Sequence, residues 1–354
     1  MPHYPIPIPA DIIEAVDREE TPAYGAHIIA QRVKNRAEIR ELWGPINAIY
    51  DSGTPFFTKD AIRDLLGQID ESGVRPVQTE PLSLRFSITG IDGKTVEIPL
   101  ELGVRRGPWI WDDFDLGDGV ELITASLNID FRPADHLTSI AARPADEFEP
   151  ERAFLSMVIE AVTIPVRSVT GEPVFLYPIN TAAETRAILQ RQKVKWDASE
   201  ACQHLVATFG KLAHTESLPR VDKVVAFACG NPSDVERAEE SAREHAMVLS
   251  LRDFFVCREK QQEEDQTTET GVRCYMQDPV YRDVDREVLR ELGVTVLDHP
   301  RGFLEVDDST VVVSGSPEAP IRQIVCDIAR PAVMIWNKVC ERPREGYGVG
   351  RVER

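Results

Sequence analysis

No run in the 354-residue chain approaches the roughly 20 consecutive apolar residues that a membrane helix needs, so no membrane-spanning segment is expected. The opening MPHYPIPIPADIIEAVDREE has no basic stretch followed by an apolar core, and no secretory leader is expected. There is no CxxC pair. The cysteines (Cys202, Cys229, Cys257, Cys274, Cys326, Cys340) are scattered, without the clustered Cys/His spacing of a metal site. They read as reduced thiols in a cytoplasmic protein that needs no metal, most of them packed as small hydrophobes. Positive charge is also short: 40 Lys+Arg stand against 59 Asp+Glu, a net charge of −19. Phosphate binders draw affinity from a basic face, so a general DNA or RNA binder is not expected. GxxxxGK[ST] is missing, which excludes a P-loop nucleotidase. GxGxxG and G-x-S-x-G are missing too, removing the usual marks of a dinucleotide site and of a nucleophile elbow.

What is present is an ordinary folded composition, 42% hydrophobic and 28% charged, on a chain long enough for two domains or one large one. Residues 1–25 are proline-rich and polar and read as an extended arm, with one short helix at Asp11–Arg18. Residues 26–180 read as an α+β region. Apolar residues at helical spacing predict a helix over Ala26–Gly44, and Thr58 caps a second one. LSLRFSITGIDGKTVEIPLELG alternates apolar and polar residues around Asp92-Gly93, a hairpin signal. A β-rich stretch then continues to about residue 180, interrupted by a helix expected over Phe148–Ala161. From residue 181 to 345 the pattern changes. Short apolar runs (KVVAFACG, RCYMQDP, VTVLDHP, STVVVSGSP, PAVMIWN) alternate with amphipathic segments, the signature of a parallel sheet flanked by helices. The fold class is therefore α/β: a Rossmann-like parallel sheet in the carboxyl-terminal half, a β-containing α+β region before it, and a tail at 346–354. The polar stretch Arg258–Gly271 is expected to be a surface loop.

In an open parallel sheet, ligands sit beyond the carboxyl ends of the strands. Gly230-Asn231, Asp278, Asp298-His299 and Ser314-Gly315-Ser316 all fall at such ends, with Tyr281 and Glu305 just beyond. Each has a plain structural reading: acids at strand ends cap helices or open turns, and Ser314 or Ser316 can cap the following helix. The chemical reading is a cleft whose carboxylates hold an amine or a guanidinium. The stretch RAILQRQKVKW carries Arg186, Arg191, Lys193 and Lys195. It reads either as a solvated helix face or as a landing surface for an RNA backbone.

The combination VVAFACG, CYMQDPVY, LRELGVTVLDHPRGFLEVDDSTVVVSGSPEAPIRQIVCDIARPAVMIWN resembles the Sensitivity-to-Red-Light-Reduced (SRR-like) domain family over about Ser199–Val339. YDSGTPFFTKDAIRDL is similar to the amino-terminal stretch of fungal members. The resemblance extends to a fungal branch of arginine-containing cyclodipeptide synthases. It implies joining of arginyl-tRNA with a second aminoacyl-tRNA into a diketopiperazine in secondary metabolism, with no cofactor, no DNA partner and no membrane. Within that implication Asp278 or Glu305 would recognise the guanidinium, and Ser314 or Ser316 would hold an aminoacyl unit. Asp298, His299 or Tyr281 would serve as general base, Gly230 and Asn231 would line the substrate site, and the four basic residues would meet tRNA. The other implied function is a non-catalytic regulatory protein that acts by binding partners.

Overall fold

The computed structural model describes residues 44–75, 77–106, 119–134, 136–137, 152–174, 177–215, 218–262, 271–315, 317 and 319–336. The expected helices at Asp11–Arg18 and over nearly all of Ala26–Gly44 lie outside these, as do Ser316 and most of the Arg258–Gly271 loop.

After a helical stretch over 44–51, helix α1 (Lys59–Glu71) opens on Thr58, whose hydroxyl accepts the Ala61 N–H at 3.1 Å. Strands β1 (Leu82–Thr89) and β2 (Thr95–Leu102) form the expected antiparallel hairpin. Its turn places Gly93 at φ 80°, a conformation that suits a residue without Cβ. A second antiparallel sheet runs β3 (Arg105–Arg106), β4 (Val120–Phe131), β5 (Met157–Arg167). This corrects the helix expected over Phe148–Ala161. From Met157 onward that segment is strand, because β4 offers it a ladder eleven residues long with a bulge between Thr124 and Ser126. Tertiary pairing overrides a weak helical period there.

The carboxyl-terminal half begins with α2 (Ala182–Asp197), set by a Thr181/Glu184 capping box, and α3 (Glu200–His214), capped by Ser199. The following strands are β6 (Lys223–Phe227), β7 (Arg273–Gln277), β8 (Thr295–Val296), β9 (Thr310–Ser314) and β10 (Val333–Trp336). Between them lie α4 (Ala238–Gln262), α5 (Asp283–Glu291), the short α6 (Gly302–Glu305) and α7 (Ile321–Ile328). All five strands are parallel, in the order β10-β9-β6-β7-β8. Every residue of β6 and β9 is buried, which is why those runs are continuously apolar rather than alternating.

The two sheet faces have different covers. Val224, Ala226, Val311 and Val313 pack with residues of α4 and α5, Leu249, Phe255, Val288 and Leu289 among them. Val225, Phe227 and Val312 face Phe303, Ile324 and the amino-terminal residues Phe57, Ile62, Phe86 and Phe131 in a second cluster. Phe303 stacks on Phe227 with ring centroids 4.7 Å apart. On this side α1, α6 and α7 share the cover with the amino-terminal strands. Among the described residues, no helix is long and apolar enough to cross a membrane.

Candidate functional site

Strand order reverses direction between β6 and β9: the chain steps outward from β6 to β7 and β8, then returns to the other side of β6 for β9 and β10. A crevice forms at such a switch point, outside the carboxyl ends of the strands. Here its walls are the turn after β6, the turn after β7, the start of α4 and Ser314-Gly315 after β9.

The turn after β6 uses two left-handed residues, Ala228 at φ 54° and Gly230 at φ 69°. They aim the Gly230 N–H at β7, where Asp278 accepts it through Oδ2 at 2.8 Å. The other Asp278 oxygen accepts the Val280 N–H at 3.1 Å, so the carboxylate is pinned in one orientation. Asp278 is only 7% exposed. From α4, Ser241 donates its hydroxyl to the Cys229 carbonyl at 2.9 Å. One turn on, Glu244 points toward β9: a Cβ at position 315 would fall on its carboxylate, so glycine there is a condition for this placement. Burial, with the charges of Glu240 and Asp278 adding to it, pushes the Glu244 carboxyl up from its ordinary range.

His245 and Tyr281 lie beneath. The imidazole is fully buried, with Nδ1 2.8 Å from the Ser241 carbonyl and Nε2 2.8 Å from the Tyr281 hydroxyl. A carbonyl only accepts, so Nδ1 carries the proton and Nε2 accepts from the phenol. Burial holds the imidazole down to about 4 and the phenol well above its ordinary value, so both are neutral. Burial also pushes the Cys229 thiol well up, with the Glu244 and Asp278 charges in the same direction, which leaves no reactive thiolate.

This wall is unsuited to a dinucleotide. In a Rossmann site the turn after the first strand offers backbone N–H groups to a diphosphate. Here the Gly230 N–H is given to a carboxylate, and Glu244 adds a second acid beside it. The electrostatics favour a cationic group.

Of the residues singled out from sequence, Gly230, Asp278 and Tyr281 come together in this way. Asn231 follows Gly230, half-buried, with its carbonyl accepting the Asp234 N–H at 3.2 Å. Ser314 ends β9 and is 2% exposed, and its Oγ has no hydrogen-bond partner. The register sets Trp336, Ser314, Phe227 and Gln277 in one row, the row of the face covered by the amino-terminal module. His299 joins that row. Its Nδ1 accepts from Gln277 Nε2 at 3.2 Å and its Nε2 donates to the Ile129 carbonyl at 2.9 Å, and burial lowers its pKa. Asp298 is exposed beyond the edge strand β8, paired with Arg286 of α5 at 2.7 Å. Glu305 ends α6, and its carbonyl lies 3.5 Å from the hydroxyl of Thr310, which opens β9. That contact places Glu305 toward the amino-terminal edge of the sheet, away from the crevice.

The four basic residues of α2 all have acidic partners. Arg186 is held bidentately by Glu291 at 2.7 and 2.8 Å, and Arg191 pairs with Glu239. Lys193 contacts Asp197 at 2.6 Å and Asp253 at 3.7 Å, and Lys195 lies 3.8 Å from Glu239. No group of three or more His, Cys, Asp or Glu that could hold a metal occurs among the described residues.

Glu244, Ser241 and His245 escaped sequence reasoning. Their signal is a run of polar residues at helical spacing in the first turns of the helix that follows the first parallel strand, the helix that borders the switch point.

The fold and crevice define a Rossmann-like α/β domain with an acidic site at its switch point. Within it, residues 188–344 match the family model of the SRR1 domain, in keeping with the SRR-like resemblance of this part of the chain. No curated protein matches the chain. No solved structure matches it either.

Proposed function

We propose that the chain is a tRNA-dependent aminoacyltransferase that joins arginyl-tRNA and a second aminoacyl-tRNA into a cyclic dipeptide, with the switch-point crevice as its amino-acid site. One observation supports this reading: Asp278 and Glu244, distant in sequence, border the same glycine-lined crevice, the carboxylate of Asp278 fixed by two backbone N–H groups. A fixed carboxylate in a sheltered crevice suits charge-assisted recognition of a guanidinium. A second, half-buried carboxyl pushed up from its ordinary range suits a general base for the attacking ammonium, because burial makes it more basic than a free carboxylate. The amine of one aminoacyl group attacks the ester carbonyl of the other. A C–N bond forms, the ester C–O bond breaks, and the first tRNA leaves through its ribose hydroxyl, which takes a proton. The dipeptidyl amine then attacks the remaining ester, closes the ring and releases the second tRNA. The esters supply the activation. Ser314 has no described base within hydrogen-bond reach, which favours direct transfer over an acyl-serine.

Incubating the purified chain with arginyl-tRNA and a second charged tRNA tests this. Loss of both esters faster than their spontaneous hydrolysis, with a diketopiperazine in the products, is expected. Ester loss at the spontaneous rate would rule it out.

The second reading is a non-catalytic SRR1 protein that acts through a partner. It draws support from the pairing of Arg186, Arg191, Lys193 and Lys195 with acids, which leaves α2 a neutralised helix face. Equilibrium binding of uncharged tRNA at two salt concentrations separates the readings. A tRNA user loses affinity steeply with salt, whereas the regulatory protein shows no tRNA binding at either.

A further inference from the structure

Six residues close a ring around the wall of the crevice. Gly230 donates to Asp278 Oδ2 at 2.8 Å, and the Asp278 carbonyl accepts the Tyr281 N–H at 3.2 Å, closing the turn after β7. The Tyr281 hydroxyl donates to His245 Nε2 at 2.8 Å, and His245 Nδ1–H donates to the Ser241 carbonyl at 2.8 Å. The Ser241 hydroxyl returns to the carbonyl of Cys229, the neighbour of Gly230, at 2.9 Å. The ring joins three segments: the turn after β6, the first turns of α4 and the turn after β7. Its deep half is buried, and both its aromatic groups are fixed in single protonation and hydrogen-bonding states by the partners they have. A histidine used for proton transfer would need a lone pair or a proton facing the crevice, and His245 has both nitrogens committed.

We infer that His245 and Tyr281 are positioning residues: the imidazole holds the phenol, and the phenol holds the turn that sets the Asp278 carboxylate against Gly230. This deepens the reading of the crevice as a site for a cationic ligand and rests on it, so its test has one readout with ligand and one without.

The two amide replacements of His245 separate the contacts. His245→Gln keeps a group at the place of Nε2 and so the contact with Tyr281. His245→Asn keeps a donor at the place of Nδ1 and so only the contact with Ser241. Tyr281→Phe removes the hydroxyl alone. The first readout is hydrogen exchange of the Gly230 amide, with the Val312 amide in the sheet centre as the internal control. The second is the affinity for arginine amide, with citrulline amide as the neutral comparator. Tyr281→Phe and His245→Asn are expected to speed Gly230 exchange and weaken arginine amide by about tenfold each, the size of one lost buried hydrogen bond. Val312 exchange should not change, and His245→Gln should stay within about threefold of the parent in both readouts. Unchanged Gly230 exchange in Tyr281→Phe, or equal behaviour of the Gln and Asn variants, overturns the inference. If the parent protein binds arginine amide no better than citrulline amide while Gly230 exchange follows the expected pattern, the positioning role stands and the cation-site reading falls.

Discussion

At the scale of single residues, His245 couples burial to pH. Its imidazole is held at about 4 against an ordinary 6.5, chiefly by desolvation. Its partner Tyr281 is kept neutral by burial, with Cys229, Asp278 and Asp285 acting on the phenol in the same direction. Because the folded state refuses a proton that the unfolded chain accepts, this group leaves stability untouched above pH 6.5 and lowers it as pH falls toward 4. One proton corresponds to about 1.4 kcal/mol per pH unit. Denaturant midpoints between pH 7 and 4.5 should therefore fall less steeply in His245→Gln than in the parent chain, and equal slopes would contradict a neutral buried imidazole. Gly315 gives a second residue-scale expectation. It is not in the left-handed region, and the obstacle to a side chain there is the mobile end of Glu244. Gly315→Ala should cost the fold less than about 1 kcal/mol, since the carboxylate can swing aside. The swing should still weaken binding of arginine amide. Paired thermal melts and titration calorimetry would show it; a large loss of stability with binding intact would contradict the placement of Glu244.

Between elements, specific polar contacts add to the shared apolar cluster in fastening the amino-terminal module to the parallel-sheet half. Asp327 of α7 accepts the N–H groups of Phe56 and Phe57 at 2.9 and 3.2 Å, Lys59 donates to the Leu304 carbonyl at 2.9 Å, and Arg301 pairs with Asp70. Phe56 and Phe57 are buried, so Asp327→Ala would leave two amides without an acceptor and should cost about 1–3 kcal/mol. Chemical denaturation would measure it, and a cost near zero would contradict the contact. The parallel sheet was legible in the sequence because KVVAF and TVVVS are buried on both faces and so cannot alternate. Asp278 was legible for the same reason, since a strand that ends is visible and its next residue lies at the edge. Glu244 and His245 were not, because on an amphipathic helix a buried polar residue at helical spacing looks like part of the solvated stripe. Glu305 was misleading in position: it follows the end of β8 by nine residues, and α6 carries it back down the sheet. The helix carrying Arg186 was readable from its capping box. Its neutralisation by Glu291, Glu239 and Asp253 was not, because those partners lie 44 or more residues away in sequence and meet it only through packing.

For the whole molecule, the shared apolar cluster on one face of the parallel sheet predicts that the two halves fold as one unit. Phe227, Val312, Phe303 and Ile324 are buried partly by Phe57, Ile62, Phe86 and Phe131. A chain that starts at Thr181 would uncover that face, and it should aggregate or give a non-cooperative melt, whereas the full chain should unfold in one transition by fluorescence and by circular dichroism. A well-folded fragment would show that the parallel-sheet half closes its own core. With acid in surplus over base, 59 residues against 40, and the basic side chains of α2 paired with acids, the proposed function rests on the crevice. The central claim is that Asp278 and Glu244 make it an amino-acid site for aminoacyl transfer. The measurement that tests it most directly is mass spectrometry of extracts from a host expressing the chain, beside hosts expressing Asp278→Ala and Glu244→Gln at equal soluble levels. A new arginine-containing diketopiperazine, lost in Asp278→Ala and reduced at least about tenfold in Glu244→Gln, is the predicted result. No new diketopiperazine from abundant folded protein, or one that both variants still make at the parent level, would contradict it.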